Sequence, residues 1–379
     1  MMGPPAIPWE TLAVCLLLLG APAIAAPRHA RLWHLGGVGL TLLVALIVGD
    51  GPTAYLAIAA GKLLHAARAF PVTRTGALSI GVSAAAAIAA AVTLAQGVLP
   101  AAFLFSCIAI AVSAGVIPLH VGVASLCDRL PALQAGKLSS TIALVFVHLR
   151  FVDHHPAAAE LATFLVPYGA VACMAGALLT VVQTDLRGFY RGTTSMHGGM
   201  LLAAIGTASL GNFAAGLLVA ITMGLSLGGL GLVIALIEER AGTVSLATPG
   251  GRARSFPRLA AAFALFGGAG VAMPGTAGFV ADDLLLHTLW MVSPASTVIT
   301  ILSSAILAAA TLACISAVFF GRPVSSLAPD LYPRERWAVV SLLMLLVVIG
   351  FGPRLLLGPA DAFLATPPEI ARATIVHSR

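Results

Sequence analysis

Long apolar runs alternate with short polar segments along most of the chain. Several of these runs approach or exceed the roughly 20 apolar residues that a helix needs to cross a bilayer. They are Leu12–Ala26, Ala77–Ala95, Ala101–Pro118, Ala158–Val182, Met200–Ile237, Leu259–Met273, Ile299–Phe320 and Trp337–Phe351. A shorter run, Leu40–Val48, would need its flanks to span. The pattern predicts an all-α polytopic membrane protein with roughly 11–13 transmembrane helices. A membrane β-barrel would show short alternating segments instead.

Composition excludes a soluble protein of this length. Of the 379 residues, 59% are hydrophobic and 9% are charged, whereas soluble domains carry about 25% charged residues. The net charge of +6 does not indicate nucleic-acid binding, because the arginines fall in short loops where they set membrane orientation. Lys62 is assigned to one such loop, together with Arg68 and Arg74. The expected location is the inner (plasma) membrane, with the chain crossing it several times in contact with lipid.

No signature of a cofactor or metal site stands out. The cysteines are isolated, without the spacing of a metal site or a disulfide, and small buried packing is the expected role. They are Cys15, Cys107, Cys127, Cys173 and Cys314. His154 and His155 are adjacent but have no obvious third ligand. We therefore expect no cofactor and no metal, and any enzymatic role would be that of a subunit in a larger complex.

Ionisable residues beside apolar runs are the candidate functional groups, since a charge at mid-bilayer costs at least a few kcal/mol, about 2.5–3.5 on insertion scales. His197 follows Arg187 by ten residues, which is about 15 Å of helix, and lies among the hydroxyls of Thr193–Ser195. It is a proton-transfer residue or a structural histidine. Lys137, after the breakers Pro131 and Gly136, is a buried switchable cation or an interfacial lysine that reaches the headgroups.

A second candidate stretch is Pro274–His287, which contains the adjacent carboxylates Asp282 and Asp283. Asp283 and His287 are four residues apart and share a helix face. Pro274 and the glycines nearby predict a broken helix, a common way to build an ion site within a membrane. A surface loop is the alternative.

Other ionisable residues are ambiguous one by one. His120 ends an apolar run, His148 lies inside one, and Asp50 is either a helix-end residue or an intramembrane acid. The segment Glu238–Arg240 reads as a solvated helix end.

Five motifs in order carry a family resemblance. They are "VIPLH" from Val116, "HLRF" from His148, "QTDLRGFYRGTTSMHGG" from Gln183, "MGLSLGGLGLVIALIEER" from Met223 and "AMPGTAGFVADDLLL" from Ala272. Together they resemble the proton-translocating, antiporter-like membrane subunits of respiratory complex I, Mrp-type antiporters and membrane-bound hydrogenases. The resemblance covers roughly residues 77–290. It implies a proton relay through His197, with Asp282 at the position of a family glutamate.

The departures from the family pattern leave the function open. The family's key lysine would fall near Ile142, and either Lys137 or His148 could take its place. Met223 stands where the family has a histidine, and Asp50 is the acid closest to the position of another family glutamate. The resemblance implies a proton-conducting subunit with other membrane subunits as partners. A structural subunit with a decayed channel, or a subunit for inorganic-carbon uptake, is the alternative.

Two discontinuous helices are expected, near Pro131–Arg150 and Met273–His287. The expected organisation has N-terminal membrane helices in residues 1–75, an antiporter-like core in residues 76–292, and C-terminal helices with a tail in residues 293–379.

Overall fold

Helices form nearly all the regular structure of the described residues. The computed structural model describes residues 51–129, 131–210, 213–323 and 328–353. For Arg68, Ala159 and residues 131–136 and 209–210 it describes the backbone only. The α-helices are α1 Pro52–Ala69, α2 Arg74–Ala95, α3 Leu99–Ala114, α4 Val121–Arg129, α5 Pro131–His154, α6 Pro156–Ala159, α7 Leu165–Val181, α8 Leu186–Gly206, α9 Phe213–Ala241, α10 Pro257–Ala269, α11 Ala277–Val292, α12 Pro294–Phe319 and α13 Pro333–Phe351. Short 3-10 turns cover Glu160–Phe164 and Thr207–Leu210.

The predicted all-α membrane bundle is confirmed. In the described residues, four helical segments are long and apolar enough to cross a membrane: Arg74–Ala95, Pro156–Val181, Phe213–Ala241 and Pro294–Phe319. The helices α8 and α9 lie at the centre of the bundle. Nearly every residue of α8 is buried, and so is 94% of the most apolar stretch of α9. The least buried of these four segments is α12, at 28% over its most apolar stretch, as expected of a helix that faces lipid.

One discontinuous crossing consists of α3 and α4. Both run antiparallel to α2: the Ser83 hydroxyl donates to the carbonyl of Ala109 on α3 (2.8 Å), and Thr73, at the start of α2, hydrogen-bonds Ser125 on α4. Residues 115–120, which we call the first break, separate the two helices. Gly115 ends α3 with φ +76°, a conformation that favours glycine.

The expected position of this discontinuity, within Pro131–Arg150, is wrong. The helix α5 is continuous from Pro131 to His154. Proline at the first position of a helix has no amide hydrogen bond to lose, so Pro131 starts this helix instead of interrupting it. The break falls upstream, at the "GVIPLH" stretch.

The other discontinuous crossing consists of α10 and α11, as the Pro274 stretch predicts. Residues 270–276, the second break, separate the two helices. Within it Ala272 has φ 58° and Gly275 has φ 83°, so the chain leaves the right-handed helical region twice. The helix α9 packs along both α10 and α11. A broken helix is tolerated at membrane depth only where its backbone is buried in protein or lines a cavity.

Glycines let α7 and α8 approach closely. They are Gly169 and Gly176 on α7 and Gly192, Gly199 and Gly206 on α8. A Cβ atom on Gly199 would lie 2.3 Å from the amide nitrogen of Cys173, and one on Gly176 would lie 2.3 Å from that of Met196. Because these neighbours are backbone atoms, they cannot rotate away. Small residues at such contacts are the usual basis of close helix packing in membranes.

Substitution Gly199→Val is therefore expected to disrupt the bundle, because α7 and α8 would have to separate. We expect loss of the monodisperse peak of the full chain in detergent size-exclusion chromatography and a lower melting temperature. Gly81→Val is the matched control, since a Cβ atom there would meet nothing within 4 Å. Equal stability of the two variants would show that the α7–α8 contact is not tight.

Ion pairs join the helix ends at one side of the bundle, which we call the charged end. Arg187 pairs with Glu238 (2.7 Å), Arg191 with Asp128 (2.8 Å), and Arg240 with Glu335, linking α4, α8, α9 and α13. The interpretation of Glu238–Arg240 as a solvated helix end holds for Glu239, which is exposed, and is wrong for Glu238 and Arg240, which form ion pairs. The Arg240 side chain is 4% exposed and that of Glu335 is 1% exposed, because the segment before α13 covers the end of α9.

Candidate proton-transfer site

His197 lies at the middle of α8 and is buried, with 4% of its surface exposed. Its Nδ1 atom lies 2.8 Å from the carbonyl oxygen of Thr193, one turn earlier. Its Nε2 atom lies 2.9 Å from the carbonyl oxygen of Gly270. Gly270 belongs to the second break, where the helical hydrogen-bond pattern stops and carbonyl oxygens lose their amide partners. The broken helix thus supplies an acceptor for the ring.

The first break reaches the same level of α8. A Cβ atom on Gly198 would lie 2.7 Å from the carbonyl oxygen of Ala114, the last residue of α3. The side chain of Val116, in the first break, is the next neighbour. Consecutive residues of one central helix, His197 and Gly198, therefore touch both interrupted crossings. Irregular backbone and a titratable ring meet at mid-bundle, which is where a membrane ion path needs polar groups.

The two adjacent carboxylates of α11 lie on different faces. Asp282 is partly buried, and it lies close enough to the Cys173 thiol of α7 for the two groups to interact electrostatically. Asp283 is exposed, and so is His287 one turn later. The shared face predicted for Asp283 and His287 is present, but it points away from the bundle. The structure therefore brings Asp282 toward the interior and leaves Asp283 outside it.

Lys62 is the functional candidate that sequence reasoning missed. Its assignment to a loop is wrong: it lies in the middle of α1 and is fully buried. Its ammonium donates to the Ser113 hydroxyl at 2.7 Å and lies 3.5 Å from the Ser140 hydroxyl. The signal was available in "YLAIAAGKLLHAA", where small and apolar residues surround the lysine on both sides.

Lys137 lies in the second turn of α5 and is 1% exposed. Its ammonium has no hydrogen-bond partner in the described part of the chain. The interfacial reading is therefore wrong, since the side chain does not reach the surface. Lys137 lies close enough to Lys62 for their charges to interact, and close enough to the Cys127 thiol as well.

Hydroxyl groups connect these helices at two levels. At one level Ser113 on α3 hydrogen-bonds Thr141 on α5 at 2.7 Å. At the other level Ser106 hydrogen-bonds Nδ1 of His148 at 2.8 Å. On each helix the two hydrogen-bonded residues are seven positions apart, which is about 10.5 Å of helix. The levels therefore form two polar layers in an otherwise apolar region.

His148 is fully buried in the second of these layers, between the rings of Phe103 (5.3 Å) and Phe151 (6.3 Å). Its Nε2 atom has no partner among the described residues. The Tyr55 hydroxyl, on α1, lies near Ser106 without a hydrogen bond of normal geometry. The layer thus combines an imidazole, a hydroxyl and a phenol from three helices.

Three further positions singled out in the sequence are His120, Met223 and Asp50. His120 ends the first break and is partly buried. Met223 is 2% exposed on α9, so an apolar side chain fills the place of the family histidine. Asp50 lies outside the described residues.

Two hydroxyl groups near His197 and Met223 are buried without a partner in the described part of the chain. They belong to Ser195 on α8 and Thr222 on α9.

Comparison with known proteins decides the family. Residues 55–319 match the model of a family described as NADH:quinone oxidoreductase/Mrp antiporter, transmembrane. This match covers more than half of the chain. The chain belongs to this family. The predicted resemblance is confirmed, and the matched region contains both breaks and His197.

Relatives in this family share a moderate part of their sequence with the chain. NADH-quinone oxidoreductase subunit M of Escherichia coli K12 is 29% identical over 255 residues, which are 65% of this chain and 50% of that protein. The Rhodobacter capsulatus protein of the same name is 26% identical over 282 residues, 72% of this chain and 55% of that protein. The chain thus spans about half the length of the curated relatives it matches.

Solved structures show the same fold. A chain of respiratory complex I from Thermus thermophilus superposes with a TM-score of 0.77 at 22% identity, covering 93% of this chain and 82% of that one. A chain of the Mrp complex from Dietzia sp. superposes with a TM-score of 0.75 at 17% identity, covering 97% and 84%. At these identities the similarity establishes the fold of the antiporter-like family.

Proposed function

We propose that the chain is a proton-conducting, antiporter-like subunit of a larger membrane complex. The observation that carries the proposal is the position of His197, held at mid-bundle with each ring nitrogen within 2.9 Å of a carbonyl oxygen. One of these carbonyls exists as a free acceptor because a crossing helix is interrupted there. Backbone carbonyl oxygens accept hydrogen bonds but have no proton to give, so these two orient the ring. A relay step then requires one ring nitrogen to leave its carbonyl and exchange a proton with a titratable group of the path.

The path we propose follows the polar groups through the bundle. It leads from the layers between α1, α3 and α5, through Lys62 and Lys137, to His197 and then to Asp282. Each of these groups titrates, whereas the arginines at the charged end keep their charge. Partner membrane subunits would drive the transfer by changing the charge next to the path. We place the complex in the plasma membrane and the conducting core in residues 76–292, together with α1.

The alternative is a structural subunit whose channel has decayed. Met223, buried where the family has a histidine, and the absence of a lysine near Ile142 favour it. The two functions differ in one measurable respect. A structural subunit keeps the complex together without passing protons.

The experiment is proton flux into liposomes that contain the full chain, with a potassium gradient and valinomycin setting the membrane potential and an internal dye reporting pH. Wild type should conduct above empty liposomes. Asp282→Asn should reduce the flux about tenfold, because the amide cannot exchange a proton and loss of an acid–base group commonly costs this much or more.

Asp283→Asn is the matched control, since this neighbouring carboxylate is exposed on the outer face of α11. It should conduct like wild type. Wild-type liposomes that conduct no better than empty ones, or equal flux in wild type, Asp282→Asn and His197→Ala, would contradict proton conduction and support the structural role.

A further inference from the structure

The strongest feature outside the His197 region is the buried lysine pair of α1 and α5. Lys62 and Lys137 are the lysines of the sequence, and both are buried in the bundle at 0% and 1% exposure. An unpaired ammonium at this depth costs several kcal/mol, so chains rarely keep one without a use. This chain keeps both inside the bundle and close together: the Ser140 hydroxyl lies 3.5 Å from the Lys62 ammonium and donates to the carbonyl oxygen of Lys137 at 2.8 Å, and the two charges interact.

The surroundings offer hydroxyl groups and no described counter-ion. Lys62 donates to Ser113, which hydrogen-bonds Thr141, and the Ser140 hydroxyl lies 3.5 Å from the Lys62 ammonium. None of the ion pairs found in the described chain involves either lysine. Hydroxyls can donate to an amine and accept from an ammonium. They therefore accommodate Lys62 in both protonation states.

The place where the Lys62 ammonium lies is significant. It lies 3.5 Å from the hydroxyl of Ser140, and through Ser113 it is linked to Thr141, the residue directly before Ile142. Ile142 is the position at which the resemblance leads one to expect a lysine on α5 itself. The Lys62 ammonium of α1 therefore lies close to the position at which α5 has isoleucine instead of the expected lysine.

Other ionisable groups near the pair are few. On α1, His65 is buried and has its own contacts. On α2, Arg74 is exposed at the first residue. On α4, the Cys127 thiol faces Lys137, and Asp128 pairs with Arg191 at the charged end.

We propose that Lys62 and Lys137 share one exchangeable proton, so that one carries an ammonium while the other is a neutral amine. Two ammonium ions in this apolar region repel each other strongly, because the effective dielectric is low. A proton that leaves one lysine is taken up by the other, and the total charge of the pair stays +1. As a step in conduction this rests on the proposed function, but the sharing itself can be measured without any flux.

The experiment uses the small number of lysines. The full chain, labelled with ¹⁵N-lysine and reconstituted in lipid, should give two side-chain signals in solid-state NMR, assigned with Lys62→Gln and Lys137→Gln. At neutral pH we expect one ammonium and one amine, or an exchange average of the two. In Lys137→Gln the amine-to-ammonium ratio of Lys62 should fall roughly tenfold, because the repelling charge has gone.

Arg74→Gln is the control for removal of a cation outside the pair and should leave both signals unchanged. Ser113→Ala provides a variant that keeps both lysines if a lysine variant does not fold; it should shift the Lys62 signal more than the Lys137 signal. Two full ammonium signals at neutral pH, or a Lys62 signal that is insensitive to Lys137→Gln, would overturn the proposal. Proton sharing without flux in wild-type liposomes would instead refute conduction alone.

Discussion

Replacing His197 with glutamine is expected to reduce proton flux by about tenfold or more while leaving the bundle folded. The glutamine amide can donate one hydrogen bond to Thr193 or Gly270, whose carbonyl oxygens lie 2.8 and 2.9 Å from the histidine ring. It cannot bind and release a proton in this pH range. Loss of a positioned acid–base group commonly reduces a rate by about 10²–10⁴. Flux into liposomes and a melting curve in detergent measure the two effects separately.

The two carbonyl oxygens respond differently to the two protonation states of the ring. A neutral imidazole has one N–H, so it can donate to one of the two carbonyl oxygens and must face the other with a lone pair. The imidazolium can donate to both carbonyl oxygens, whereas burial disfavours its charge because the charge leaves water. A glutamine at this position has no such second state.

His287→Gln is the matched control, because this histidine is exposed on α11. It should conduct like wild type. A His197→Gln variant that is folded and conducts normally would show that the ring has a structural role only. If both histidine variants lost flux equally, the effect would not be specific to the mid-bundle site.

Sequence reasoning predicted the long-range architecture well, because the membrane imposes a simple rule. Apolar runs such as Ala77–Ala95 and Ala158–Val182 reappear as helices within a few residues, Arg74–Ala95 and Pro156–Val181. Every backbone polar group must be satisfied inside the bilayer, so such a run has helix as its main option. The second break was also predictable, since Pro274 and its neighbouring glycines interrupt the run.

The helix α1 shows where this reasoning fails. Lys62 lowers the average hydropathy of Pro52–Ala69, so the segment looks like a loop. In the structure, Ser113 and Ser140 from two other helices surround the ammonium. Tertiary partners that lie 51 and 78 residues away along the chain leave no local pattern. The site's most informative polar contacts are of this kind.

The position of the first break was predicted wrongly for a different reason. Both "GVIPLH" and "LPALQAG" contain breakers, and the sequence gives no sign of which one lies at mid-membrane. Pro131 proved to be the first residue of a helix, whereas Gly115 adopts a positive φ at the end of another. Whether a proline or glycine interrupts a crossing or starts a helix depends on its depth in the membrane. That depth follows from how α2 pairs with α3 and α4. That pairing is a property of the assembled bundle.

Both breaks adjoin α8, and the two buried lysines lie on α1 and α5, which contact each other. The Cys127 thiol lies between the lysine pair and His197. It is beside Lys137 and near the Thr194 hydroxyl, which is three residues from His197. The lysine pair and the histidine therefore belong to one region, separated by about one helical turn of α8 and a thiol.

Substitution Arg240→Met is expected to destabilise the protein by about 3–5 kcal/mol, the usual effect of leaving one member of a buried ion pair without its partner. Arg240 and Glu335 are both nearly inaccessible to solvent. Without Arg240, the Glu335 carboxylate would keep, among the described residues, only the backbone N–H of Tyr332, at 3.0 Å. Urea unfolding of the full chain in detergent measures the loss.

The double variant Arg240→Met with Glu335→Gln should recover most of this loss, since the buried charge disappears with its partner. Arg191→Met is the matched control, because its partner Asp128 is 40% exposed and such pairs contribute about 0–1 kcal/mol. Equal losses for Arg240→Met and Arg191→Met would show that burial does not set the strength of these pairs. A double variant as unstable as Arg240→Met would show that Arg240 acts mainly through its other contacts, the carbonyls of Leu236 and Pro329.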